Sequence, residues 1–255
     1  MAIYSRTGVT RALVVAMALG VPFAASACGR APELAHTGSS ASAPVIRVAG
    51  ASARIPDSAS STAVSASCHP GEQLIGGGFS ASDIFEFDAL ITASYPSDPH
   101  TWTAVAGHSA EFALTVEAYC LVAHPDLGVT IIHSSAGQPA CPTREAALGS
   151  GFAEQPPTLG PNVTVTTYVL CATRLRDASV TVQTEYNPHS SSHSYAPGSV
   201  TLTCPPGRIA IGGDAGAGGN WLLASSSAGP PYSGWVMAFG GDSDQSPSAT
   251  CASIN

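Results

Sequence analysis

The sequence predicts an all-β protein built from three pseudo-repeats and stapled by disulfides, and three observations carry that expectation. Short runs rich in Val, Thr and aromatic residues recur along the chain, each bounded by Gly, Pro, Asp or Ser. Such runs form strands separated by turns, and no amphipathic helix of useful length interrupts them. Three segments open alike on a cysteine: Cys68-His-Pro-Gly-Glu-Gln-Leu-Ile-Gly-Gly-Gly-Phe79, Cys141-Pro-Thr-Arg-Glu-Ala-Ala-Leu-Gly-Ser-Gly-Phe152 and Cys204-Pro-Pro-Gly-Arg-Ile-Ala-Ile-Gly-Gly-Asp-Ala215. Six of the seven cysteines fall two to a segment: Cys68 and Cys120, Cys141 and Cys171, Cys204 and Cys251.

Composition removes several function classes. The chain has 255 residues, of which 10% are charged, against about 25% in an average soluble domain. Lysine is absent, and all nine Lys+Arg residues are arginines. A Walker A loop, a Schiff-base enzyme and a kinase each require a lysine. All 17 acidic residues lie beyond residue 30, where only Arg47, Arg54, Arg144, Arg174, Arg176 and Arg208 oppose them. Phosphate binding needs a basic surface, so no nucleic-acid partner is expected.

In chain order, residues 1–27 read as a secretory signal peptide. Arg6 and Arg11 supply the positive end, Ala12 to Ala25 the apolar segment, and Ala25-Ser26-Ala27 the small residues for cleavage. The apolar segment is short for a membrane span and no second one follows, so the mature chain is not expected to cross a membrane. Ala-Ser-Ala-Cys28 resembles a bacterial lipobox, with Ala25 where Leu is commonest. That resemblance makes Cys28 the lipidation site and the first mature residue; ordinary secretion is the alternative. Residues 28–62 are small, polar and poor in aromatics, which marks a flexible tether. The Val45-Ile46-Arg47-Val48 stretch is counted with that tether and not as a strand.

Residues 63–255 then form the β domain, with repeats at about 63–125, 126–190 and 191–255. Strands are expected at Ala89–Tyr95, Phe112–Val122, Val163–Cys171, Ser179–Tyr186 and Ser199–Thr203. Pro and Gly after each opening cysteine make a turn, and the glycines beyond permit a bulge or a close backbone approach. The eighth residue after the cysteine is Gly each time: Gly76, Gly149 and Gly212. Repeats 1 and 3 share a later stretch, Ala93-Ser94 leading to Trp102 and Ala224-Ser225 leading to Trp235, which the second repeat lacks. Both indoles are expected in the core; the alternative is a sugar-stacking role for Trp102, Trp221 or Trp235. In an exported chain, six cysteines make disulfides. Their connectivity is not deducible outright, but repeat logic favours Cys68–Cys120, Cys141–Cys171 and Cys204–Cys251.

The Cys-Pro-x-Gly opening, the short run to Gly-Phe or Gly-Gly and the closing cysteine resemble the vitelline membrane outer layer protein family. Cys141-Pro-Thr-Arg through Gly151-Phe152 to Cys171 is the segment most similar to it. The resemblance implies a β-prism, three antiparallel sheets about a pseudo-threefold axis. The Trp-bearing stretches depart from that family's short unit, and the family has no catalytic residue to carry over. Similar repeats occur in exported actinobacterial proteins without assigned activity.

Chemical motifs are sparse. Gly107-His108-Ser109-Ala110-Glu111 approaches a nucleophile elbow and fails at its last position. His189 and His193 stand in a polar loop, and Asp242 and Asp244 lack the rest of a calcium loop, so no metal and no cofactor are expected. Asp83, Glu86 and Asp88 around Phe85 and Phe87 read as a half-buried strand with an acidic face. The expectation is therefore a non-enzymatic protein on the extracytoplasmic face of the cell membrane. Its partners are the membrane, through Cys28, and cell-wall glycan in the alternative carbohydrate-binding reading.

Overall fold

Among its described residues, the computed structural model has fifteen strands and no helix. It describes residues 45–56, 61–82, 89–108, 111–122, 127–155, 164–173, 181–184, 198–214, 222–229, 232–239 and 248–252. All of these belong to the unit Ser42–Asn255. The strands are β1 (Val45–Ile55), β2 (Thr62–Ser67), β3 (Gln73–Ser82), β4 (Ala89–Asp98), β5 (Thr101–His108), β6 (Phe112–Val122), β7 (Val129–Ser134) and β8 (Ala146–Gln155). They continue as β9 (Thr164–Ala172), β10 (Thr181–Thr184), β11 (Gly198–Thr203), β12 (Ile209–Asp214), β13 (Leu222–Ser227), β14 (Gly234–Phe239) and β15 (Ser248–Ala252).

They form three sheets, ordered β1-β6-β3-β13-β14-β11, β2-β5-β4-β8-β9-β7 and β10-β15-β12. Each pair of neighbours is antiparallel. The path between cysteines explains this order. Between Cys68 and Cys120 the chain lays β3 and β6 in the first sheet and sends the β4–β5 hairpin to the second. Between Cys204 and Cys251 it lays β12 and β15 in the third sheet and sends β13–β14 to the first. Between Cys141 and Cys171, β8 and β9 pair directly in the second sheet. The Trp-bearing stretch absent from that sequence is thus a hairpin, and the third sheet has three described strands where the others have six.

The bridges are Cys68–Cys120, Cys141–Cys171 and Cys204–Cys251, each closing its own segment. A tight turn follows each opening cysteine. Glu72 N–H donates to the His69 carbonyl, Glu145 N–H to that of Pro142 and Arg208 N–H to that of Pro205. The third turn residue has positive φ each time: Gly71 at 86°, Arg144 at 85° and Gly207 at 78°. Glycine occupies that conformation freely, whereas a side chain costs about 1 kcal/mol there. Arg144→Gly is therefore expected to stabilise the protein by about 1 kcal/mol, read as a higher urea midpoint with an unchanged slope.

The three positions that end each opening run, seven of the nine held by glycine, do three different jobs. A Cβ on Gly76 would overlap the Ile211 carbonyl, one on Gly149 would lie 3.2 Å from Gly76 Cα, and one on Gly212 3.2 Å from Gly149 Cα. The first glycines thus bring the backbones of the three sheets together. The second, Gly77 and Gly213, lie against the indoles of Trp102 and Trp235. Those rings are 1% and 0% exposed, and each Nε1–H donates to a serine hydroxyl, Ser94 and Ser225, at 2.9 Å. The segment without a Trp hairpin carries Ser150 at this position. The third, Gly78 and Gly151, face the backbone of β13 and β4, where hairpins from other segments pair in register (Phe79 opposite Ser225, Phe152 opposite Ser94). The corresponding residue of β12 is Asp214, and no described strand pairs on that side.

One boundary needs correction. Val45–Ile55, placed in the tether by composition, is the full-length partner of β6, from Val45 opposite Val122 to Ile55 opposite Phe112. Small residues do not prevent a strand where a ready-made neighbour supplies the ladder. Ile46, Val48, Ala49, Ala51 and Ala53 pack on the core, and Ile55 is fully buried. The domain begins before residue 63 accordingly.

Candidate functional site

Two places on the domain gather polar or aromatic side chains. The first surrounds the Cys68–Cys120 bridge. Glu72 ends the turn after Cys68 and is buried beside the sulfurs. Arg47, carried there by β1, donates from Nε to both carboxylate oxygens at 2.8 and 3.0 Å, and from Nη2 to Oε2. The His69 backbone N–H donates to Oε2 at 2.8 Å, and His100 Nδ1 lies 3.0 Å from the Glu72 carbonyl. The Arg47 hydrogen bonds lead in holding the Glu72 carboxyl down at about 2, against the opposing effect of burial. The same pairing raises Arg47.

Cys68, Glu72 and Cys120 bring ligand-type atoms within 4.8 Å of one another. The two sulfurs are bonded at 2.06 Å and the carboxylate is already engaged. Chemically this is a latch tying β1 to the first turn. Because the carboxyl is depressed in the folded state, its contribution is complete above the ordinary value of 4.5 and is lost as pH falls through about 2. Arg47→Met should cost about 2 kcal/mol at neutral pH, since it strands a buried carboxylate. The gap from the parent protein should close as urea titrations are repeated down to acid pH.

The second place is a row across the second sheet. Ser65 lies opposite Thr103, Thr103 opposite Tyr95, Gly151 opposite Tyr168, and Tyr168 opposite His133. Continuing the Ser94–Phe152 pairing sets Tyr95 opposite Gly151, so the row crosses β2, β5, β4, β8, β9 and β7. On β2, β5 and β4 it is the face opposite that of Ala66, Trp102 and Ser94, and so points away from the core. Gly151 has no side chain, and above it the Tyr95 and Tyr168 rings stack with centroids 4.8 Å apart. The His133 ring meets Tyr168 edge-on at 5.7 Å. Both tyrosines are half-buried and His133 is exposed. Burial, followed by the neighbouring Tyr95, raises the Tyr168 hydroxyl. Hydroxyls continue the surface: exposed Ser65 and Ser97 each bond the buried Thr103, at 2.8 and 2.9 Å, and Ser67 bonds Thr101 at 2.9 Å.

These positions alter part of the sequence reading. Trp102 and Trp235 are core residues, so neither offers a ring face to a sugar, and stacking is corrected for both. Tyr119 meets Trp235 edge-on at 5.5 Å, inside the same core. Trp221, Cys28, His189, His193, Asp242 and Asp244 lie outside the described residues, as do Asp83, Phe85, Glu86, Phe87, Asp88 and Ser109. Sequence reasoning missed Arg47, Glu72, Tyr95, Tyr168 and His133. Tyr95 and Tyr168 stood within expected strands, but the pairing that unites them is non-local. No helix among the described residues is long and apolar enough to cross a membrane. No protein-family model matches the chain, and no curated protein matches it.

Proposed function

We propose that the chain is an exported cell-envelope protein, held to the membrane by a lipid on Cys28, whose β domain serves as a non-enzymatic scaffold for surface structure or ligand presentation. The observation that carries the scaffold reading is how its buried reactive and polar groups are spent on the fold. The six cysteines of the domain are bridged, the Glu72 carboxylate is held by Arg47 and His69, and the Trp102 and Trp235 N–H groups bond to serines. A catalytic group must instead keep an atom free for substrate.

The three cysteine-to-cysteine segments are read here as repeats of a β-prism, the arrangement implied by the family resemblance. The successive contacts of Gly76, Gly149 and Gly212 support it, as does the exchange of hairpins between sheets. The anchor is supported by the charge, apolar and small-residue order leading to Cys28. Non-reducing peptide mass mapping of protein recovered from its envelope tests it: an acylated Cys28 as first residue is the expected result. An unmodified Cys28 would make the protein a secreted one. The alternative, a carbohydrate-binding module, is favoured by one observation, the aromatic and hydroxyl row of the second sheet.

A further inference from the structure

We infer that the outward row of the second sheet is a binding surface for an uncharged polysaccharide chain. The inference rests on the ligand-presenting reading above and gives it a site and a ligand class. Three properties of the surface select this occupant.

The first is charge. The six strands β2, β5, β4, β8, β9 and β7 carry only Asp98 and Glu154 as acidic residues and no arginine. Glu154 alternates with Ala153 and Gln155 and so points to the face opposite Gly151. Asp98 stands opposite Thr101 at the end of the β4–β5 ladder and accepts from the His100 backbone N–H, so the face offers a polyanion no arginine and a polycation one carboxylate at its edge.

The second property is a supply of preorganised hydroxyls. Ser65 and Ser67 are exposed, and each shares one hydrogen bond with a threonine across the strand pair. A hydroxyl has one donor and two acceptor sites, so each pair keeps bonding capacity for a ligand. The cross-strand bonds fix these hydroxyls before a ligand arrives, which lowers the ordering cost of binding.

The third is the aromatic cluster. Tyr95, Tyr168 and His133 hold one another at 4.8 and 5.7 Å on a rigid sheet, and all three keep some exposure. Sugars present apolar C–H faces beside hydroxyl edges. An aromatic cluster next to a hydroxyl field matches both, and amphipathic rings supply contact area at little entropic cost. Six strands at ordinary spacing set the row at about 24 Å, room for several sugar rings in line.

Co-sedimentation of the full chain, purified in detergent, with insoluble chitin and cellulose tests the inference, with alginate gel beads as the anionic comparison. Retention on chitin or cellulose is expected, with little effect of salt. Tyr168→Ala should weaken it about tenfold or more, the equivalent of one good contact. Ser65→Ala together with Ser67→Ala, a change of exposed hydroxyls that spares the fold, should weaken it several-fold. Thr201→Ala, on the exposed face of β11 in another sheet, should leave it unchanged. No retention on either neutral polymer overturns the inference. So does retention unaffected by both sheet-face variants, or binding to alginate alone that salt abolishes. An unmodified Cys28 with glycan binding intact would remove the anchor and leave this site standing. An acylated Cys28 without glycan binding would remove the site alone.

Discussion

Gly76→Ala is expected to cost about 4 kcal/mol or more and to prevent accumulation of folded protein, the range reserved for changes the structure has no means of absorbing. Its Cβ would overlap the carbonyl oxygen of Ile211, a backbone atom held in the middle of β12. A clash with the end of a flexible side chain can be relieved by a rotamer change. A clash with backbone in a sheet requires one sheet to move against another, and Gly76 stands where Gly149 also packs against it. Gly50→Ala is the matching control, because Gly50 is exposed on β1 and a Cβ there meets nothing within 4 Å. It should change stability by less than about 0.5 kcal/mol. Soluble yield and urea unfolding of the two variants, side by side, check the contrast. Equal stability of both would mean that the sheets do not meet at Gly76.

The three sets of glycines also show how much of the fold could be read in advance. Their recurrence after each opening cysteine was visible, and so was the absence of a Trp stretch from the second segment. The reason for each glycine was not visible, because each answers to a strand distant in the chain: Gly76 to β12, Gly78 to β13, Gly151 to β4. Ser150 and Asp214 then read as consequences of the missing hairpin. Ser150 has no indole from its own segment to accommodate, and Asp214 has no described hairpin strand alongside. The disulfide pairing followed from segment logic for the same reason that the strands did, since each bridge is local to its unit.

What failed to appear in advance was non-local in a stronger sense. β1 has the composition of a linker, and its partner β6 lies far along the chain. Only the ladder, together with the Arg47–Glu72 pair, turns it into a strand. The candidate surface has the same character. Nothing local marks Tyr95, Tyr168 and His133 as neighbours, and the glycine that lets the tyrosines meet carries no aromatic signal of its own. The Trp stretches drew attention to the wrong rings. Trp is large enough to serve either as a core residue or as a sugar platform, and the Ser on the directly paired strand of the same hairpin decides between them. Ser94 and Ser225 accept the indole hydrogens, so the rings can be buried without an unsatisfied donor.

That pairing makes Trp102→Ala the second large effect, a loss of about 3–5 kcal/mol for truncating a fully buried indole. Part of the loss has an identifiable source, because Trp102 packs directly on Gly77. A Cβ at Gly77 would overlap the indole at Cγ and Cδ2, so Gly77→Ala alone should also destabilise the protein strongly. The two changes should not add. Once the ring is gone, the alanine at position 77 enters part of the space it vacated, leaving only its approach to the Glu117 carbonyl at 2.8 Å. The double variant should therefore be more stable than the sum of the single losses predicts, by about 1–3 kcal/mol. Urea unfolding of the four proteins at neutral pH measures that coupling. Strict additivity would mean that Gly77 is present for the sake of the strand backbone, and that Ser150 in the segment without a Trp hairpin owes nothing to the missing ring.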